Sequence, residues 1–539
     1  MSDFRAVVKL HLSRNQIKQS CQMDYFIGKF STKILYRIVD DSIEISLSST
    51  VFCKMATIYH LQPTLTYSQQ IFLLNEIINL KSYQECGHIE QYTILYPVSD
   101  FKTITNYYNS YFENFFKTKT QLPLLEIANI FGTENAFYFD LTSTIMNILW
   151  YLLPFSVVTF AASFWYGIDN IYSALYSFLV TFVFIIFIQY WNQRVNIRNY
   201  EWQSSSQLHQ HAIEPMYTAN VLNSTVSTQY LGSTVFILKP WSLFTQICAY
   251  LIQIPLFGLL IACNVVNIAL GNVITQYLSF MPYIVTDIIV SVIYSTVLIL
   301  LDKIFYFLVV KSTKYENHLF YSTFRNSTAV KYCIVNTVNT FGYWLYSIYV
   351  LRISPSKLVV MLITQFGIKE ILYRQLTQCL KLRRGNNSSV QLDLYYYIAN
   401  YQLVITMMIY MLMFSWVFPV GTILVLLNIY LEIKMDLQDY IGGHLKVPKL
   451  CYNNGIWTLI MQQSIQIAIT VNNLFFIYYS SLFNGMSTEK KLILFVIFQQ
   501  GLMMFRGILP YWIEDTPLRL KLLLRKDFKR NKSLIECDC

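Results

Sequence analysis

Charge is scarce in this 539-residue chain: Asp, Glu, Lys and Arg make up 13% of it, about half the share found in soluble domains. So few charges do not coat a water-facing surface, which excludes an ordinary cytosolic enzyme. Glycine and proline are also few, 17 and 13, so neither a collagen-like repeat nor a Pro/Gly-rich disordered tail is present. The ten cysteines show no CxxC spacing, which argues against a zinc or disulfide framework. No GxxxxGK[ST], HExxH or GxSxG occurs, and there are only seven histidines, so no phosphate loop, zinc-protease helix or nucleophile elbow is on offer. His209-Gln210-His211 is read as loop composition. An enzyme is not expected.

What the chain has instead is hydrophobicity: 55% apolar residues, 17% aromatics and a mean hydropathy of +0.40. Charge is absent from Ser143 to Ile168 and from Ile171 to Trp191, each about the 20 residues a helix needs to cross ~30 Å of hydrocarbon. The uncharged tract from Trp241 to Thr286 holds a third span and opens a fourth, which runs to about Val310. Tyr332 to Leu351 makes a fifth and Leu358 to about Gln378 a sixth. Leu394 to Leu431 would give a helix of about 57 Å, so it is expected to fold back at Phe418-Pro419-Val420-Gly421 into spans seven and eight. Gly455 to Phe483 holds a ninth and Leu492 to about Ile513 a tenth.

The expected fold is therefore an all-α polytopic membrane protein of ten transmembrane helices, residues 141–515. A small α+β cytosolic domain precedes it, residues 1–140, and a basic tail follows, residues 516–539. Within the first domain Ile43 to Leu47 alternates like a strand, and Ile71 to Leu80 has helical period. The start has no uninterrupted apolar stretch, so the first span is expected to serve as the insertion signal. The net charge of +10 follows topology rather than nucleic acid. Linkers after even-numbered spans carry most of the cations, Arg194, Arg198, Lys311, Lys314, Arg383 and Arg384 among them, which places those linkers and both termini in the cytosol. The sequons at Asn223, Asn326, Asn386, Asn387 and Asn531 then lie where no glycosylation is expected.

Polar residues recur at helical spacing inside the spans. Asp287, Ser291, Tyr294 and Ser295 do so in the fourth; Asn336, Asn339, Thr340, Tyr343 and Ser347 in the fifth; Gln365, Lys369, Glu370, Tyr373, Arg374 and Gln378 populate the sixth. Such stripes face protein, water or a polar solute. Interhelical hydrogen bonding explains any one of them, whereas three adjacent stripes with charges point to a hydrophilic pathway. In the eighth span Glu432 and Asp436 lie one turn apart, consistent either with part of a cation site or with a solvated helix end.

An ordered series of short motifs adds a resemblance. Ile130-Phe131-Gly132-Thr133-Glu134 with Phe137-Tyr138-Phe139, Gln189 to Arg194 with Tyr200-Glu201-Trp202, and Ser327 to Lys331 followed by Asn339 are its first part. Phe418-Pro419 with Leu426-Leu427-Asn428-Ile429-Tyr430-Leu431-Glu432-Ile433-Lys434-Met435-Asp436 is its strongest. Val447-Pro448-Lys449, Gly455-Ile456-Trp457, Asn472 and Asp515-Thr516-Pro517 complete it. Together they resemble the anoctamins, which comprise calcium-activated chloride channels and phospholipid scramblases.

The resemblance implies a homodimer of ten-span protomers, each with a groove lined by spans three to seven through which anions or lipid head groups pass. Its partners would be membrane lipids and chloride or other small anions, with no nucleic acid. It also implies that Glu432 and Asp436 are the eighth-span share of a calcium site. The other positions depart from the family pattern: Gln378 and Leu382 on the sixth span, Asn400 and Leu403 on the seventh, leave acids missing. A site assembled from Glu432, Asp436, Asn400 and Gln378 is expected to bind Ca2+ weakly or not at all, because affinity follows ligand number and charge.

The expected function is thus a passive anion channel or phospholipid scramblase, with Asp287, Ser291, Asn336, Asn339, Lys369 and Arg374 lining the pathway. The alternative is a non-conducting tether whose basic tail, Lys521 to Lys532, binds anionic lipid. A secondary transporter would show inverted repeats, and no internal repeat is seen.

Overall fold

The computed structural model describes residues 122–202, 253–278, 280–316, 321–349, 355–368, 393–441 and 455–526, together with six short strands and a few single positions. Near the start, β1 (Val8–His11), β2 (Ile34–Val39), β3 (Ser42–Leu47) and β4 (Leu95–Pro97) form an antiparallel sheet in the order β2-β3-β1-β4. The alternating stretch Ile43 to Leu47 is thus the body of β3, which pairs Ile45 with both Val8 and Tyr36. The helix expected at Ile71 to Leu80 lies outside the described residues. A hairpin, β5 (Val226–Tyr230) with β6 (Ser233–Ile237), occupies the polar segment after the second span.

Helices make up the rest. They are α1 (Leu124–Phe131), α2 (Thr133–Tyr166), α3 (Ile171–Glu201), α4 (Gln253–Tyr277), α5 (Tyr283–Lys314), α6 (Tyr321–Tyr349), α7 (Pro355–Gln365), α8 (Asp393–Met413), α9 (Gly421–Ile441), α10 (Trp457–Tyr479) and α11 (Thr488–Trp512). Each expected span overlaps one of α2 to α11. Five of these helices, α2, α3, α4, α5 and α11, are long and apolar enough to cross a membrane by themselves. The others carry more polar side chains or are shorter.

Local chemistry explains the breaks. Gly132 and Gly167, on either side of α2, adopt positive φ of 89° and 80°, where a side chain is strained. Asn170 caps α3, its side chain accepting from the Ser173 amide at 2.8 Å, which satisfies one of the orphan donors of a helix start. The uncharged tract after Leu394 turns where Phe418-Pro419 was expected to turn it, between α8 and α9. Ser156 of α2 donates to the Pro419 carbonyl at 2.7 Å and holds that turn.

The helices α8, α9 and α10 occupy the middle of the bundle. From Tyr401 to Pro419 every residue of α8 and its following turn is buried, and α8 packs on α3, α6, α9 and α10. The perimeter is the reverse. On α4, Ile254, Ile261 and Val266 are exposed, as are Val158 and Trp165 on α2 and Ile497 and Met504 on α11. An apolar outside around a polar-seamed inside is the arrangement that hydrocarbon solvent selects.

Candidate functional site

Two buried polar loci stand out. The first joins α2, α8 and α9. Glu432 and Asp436 are each 3% exposed, so they are packed acids and not a solvated helix end. Tyr138, near the start of α2, donates its hydroxyl to Asp436 Oδ2 at 2.7 Å. Asn400 of α8 points its amide nitrogen at both oxygens of the same carboxylate, 3.3 and 3.4 Å away. Of the four residues expected at a metal site, Asn400 and Asp436 are in contact and Glu432 is buried one turn before Asp436; Gln378 lies outside the described residues.

This arrangement fits a calcium ion poorly. Calcium takes six to eight oxygens, and among the described residues no three of His, Cys, Asp and Glu come together. Asp436 accepts from a phenol and an amide, so hydrogen-bond donors already engage both of its oxygens. Around the locus, Arg325 of α6 ion-pairs with Glu134 of α2 and lies 4.9 Å over the Tyr397 ring of α8. Asp140, one turn beyond Ala136 on α2, is fully buried and takes a bidentate contact from Arg194 and a further one, at 3.2 Å, from Arg198.

The second locus is a seam where α5 packs on α4, α6 and α7, and α6 on α8. The stripe on α5 turns inward: Asp287, Ser291, Tyr294 and Ser295 are buried. Ser291 and Ser295 each bond a carbonyl one turn back at 2.7 Å, which costs them no partner on another helix. Tyr294 meets Tyr343 of α6, ring centroids 4.5 Å apart. On α6, Asn336 reaches Thr406 of α8 at 3.3 Å, and Asn339 donates to Asp302 of α5 at 2.6 Å. Gln365 of α7 points its amide nitrogen at the Thr340 carbonyl, 3.5 Å away.

The structure therefore buries Asp287 and Ser291 on α5 and joins α6 to α8 through Asn336 and to α5 through Asn339. Lys369 and Arg374 lie outside the described residues. Two participants were passed over in the sequence. Tyr138 is 298 residues from Asp436, and no spacing signals such a contact. Asp302 did carry a signal: it stands seven residues after Ser295, continuing the same face of the stripe, and it is an ionisable residue inside an apolar tract.

Comparison with known protein families gives one match: the anoctamin family, described as calcium-activated chloride channels, over residues 127–399 and 374–527. A comparison with curated proteins returns no match. The family match takes in every helix from α2 to α11 and agrees with the ordered motifs from Ile130 to Pro517. With both the motifs and well over half of the chain in agreement, this protein belongs to the anoctamin family.

Proposed function

We propose that the chain is a passive membrane conduit, a channel for chloride and other small anions, a phospholipid scramblase, or both, built as ten spans with both termini in the cytosol and working as a homodimer. The observation that carries the reading is the polar seam between α5, α6 and α8, enclosed in a bundle whose perimeter is apolar. A head group or hydrated ion crossing hydrocarbon unaided bears the full cost of desolvation. A polar track lined by Asp287, Ser291, Asn336 and Asn339 lowers that cost along its length. Lys369 and Arg374, placed by sequence on the sixth span, supply positive potential for the anion. Calcium dependence is weak or lost, because Asp436 is already served by Tyr138 and Asn400 and two carboxylates supply too few oxygens for the ion.

The test is electrical. In reconstituted protein, Lys369→Gln with Arg374→Gln is expected to move the reversal potential in a chloride gradient away from the chloride value. An unchanged reversal potential in the double variant removes these two side chains from the pathway.

A further inference from the structure

Three amide side chains in the seam share an unusual state. Asn264 of α4 gives its amide nitrogen to the Leu260 carbonyl at 3.0 Å, Asn339 of α6 gives its own to the Asp302 carboxylate, and Gln365 of α7 to the Thr340 carbonyl. Each partner is an oxygen that only accepts, which fixes which end of the amide points where. The other ends, Asn264 Oδ1, Asn339 Oδ1 and Gln365 Oε1, are buried and find no hydrogen-bond donor among the described residues. Asn339 and Gln365 are 0% exposed and Asn264 is 8% exposed. A buried acceptor left unmade is costly, and such groups in a native structure call for a water, an ion or a ligand.

The three amides each adjoin residues 339–342 of α6. Asn264 Oδ1 lies 3.5 Å from the point a Cβ on Gly342 would occupy, Gln365 meets α6 at Thr340, and Asn339 belongs to the same turn. Asp302, half-buried beside Asn339, adds a carboxylate to the neutral oxygens. A locus with surplus acceptors and an acid attracts a positive charge.

From this geometry we infer that the junction of α4, α5, α6 and α7 binds a singly charged cation, either an alkali ion or the ammonium of a lipid head group, with Asp302 supplying the charge and Asn264, Asn339 and Gln365 the neutral oxygens. The inference deepens the conduit reading and rests on it for its place in transport. A zwitterionic head group needs both a cationic and an acceptor-rich wall. This junction would supply the acceptor-rich one.

The test measures binding rather than flux, so it fails independently of the conduit reading. Full-length protein in maltoside micelles is melted in potassium chloride, choline chloride and N-methylglucamine chloride at equal ionic strength. Wild type is expected to melt about 2 °C or more higher in potassium or choline than in the bulky amine. Asp302→Asn and, should that variant not fold, Asn264→Ala are expected to abolish the difference. A rise in potassium alone assigns the locus to alkali ions, and a rise in choline alone assigns it to head groups. Equal melting in all three salts overturns the inference, as does a difference that survives in both variants. Absence of any lipid or ion flux from liposomes with the salt effect intact would instead sink the conduit and leave the cation locus standing.

Discussion

At the scale of single residues, the buried acids do different work. Asp140, with no exposed surface, is neutralised by two guanidiniums that are themselves about one quarter exposed. Replacing it with Asn strands Arg194 and Arg198 against the bundle, and breaking a buried pair from one side costs about 3 kcal/mol. Asp140→Asn is therefore expected to lower the melting temperature of the purified protein by several degrees. An unaltered melt would show that the pair is idle. Glu316, just past the end of α5, is held by a different set. Gln253 bonds it at 3.0 Å, His318 at 2.9 Å and Ser327 at 3.0 Å, with Lys331 in direct contact.

Burial alone would raise the Glu316 carboxyl, but the hydrogen bonds from His318 and Lys331, the Lys331 charge and Ser327 outweigh it and leave it below its ordinary value of 4.5. A carboxyl depressed in the folded state contributes stability that is present above its unfolded pKa and is lost as pH falls through the lower folded one. Melting temperature in wild type is thus expected to fall as pH drops below about 4.5, and Glu316→Gln to flatten that fall while lowering stability at neutral pH. A parallel acid profile in the variant would contradict the assignment.

At the scale of elements, the tightest constraint is the turn from α8 to α9. A Cβ added at Gly421 would come within 2.9 Å of the Phe418 ring, and the same turn is bonded by Ser156. Gly421→Val is expected to destabilise by about 1–3 kcal/mol through overpacking, read as a lower melting temperature with the oligomeric state unchanged. A neutral melt would mean the ring moves aside freely.

This turn was legible in the sequence because an uncharged run too long for one crossing must fold back, and Phe-Pro-Val-Gly marks where. Most of the other helices were legible for the same reason, since charge-free stretches bound themselves, whereas the sixth span was drawn through Lys369, Glu370 and Arg374. The first ten residues of α2 were not. Thr133 to Thr142 includes Glu134 and Asp140, which look like a soluble linker until Arg325 and Arg194 are seen to neutralise them. Likewise Glu432 and Asp436 left open a solvated end or part of a cation site, because spacing along one helix is silent about what Tyr138 and Asn400 bring from two others.

At the scale of the whole molecule, two properties of the bundle meet. Its perimeter shows apolar side chains to the surroundings, and its interior places amides, hydroxyls and acids between α4, α5, α6 and α8. Membership of the anoctamin family accords with the conduit proposed for that arrangement, in which the donors around Asp436 weaken any hold on calcium.

The most direct measurement is reconstitution of the full chain into liposomes carrying quenchable fluorescent phospholipid, with chloride flux followed in parallel, each with and without millimolar calcium. The account predicts lipid flipping, chloride flux or both, at rates that differ by less than about two-fold between the two conditions, since a site with two carboxylates binds calcium weakly. Activity appearing only with calcium would contradict the reading of the Asp436 locus. Absence of both activities in either condition would contradict the conduit itself.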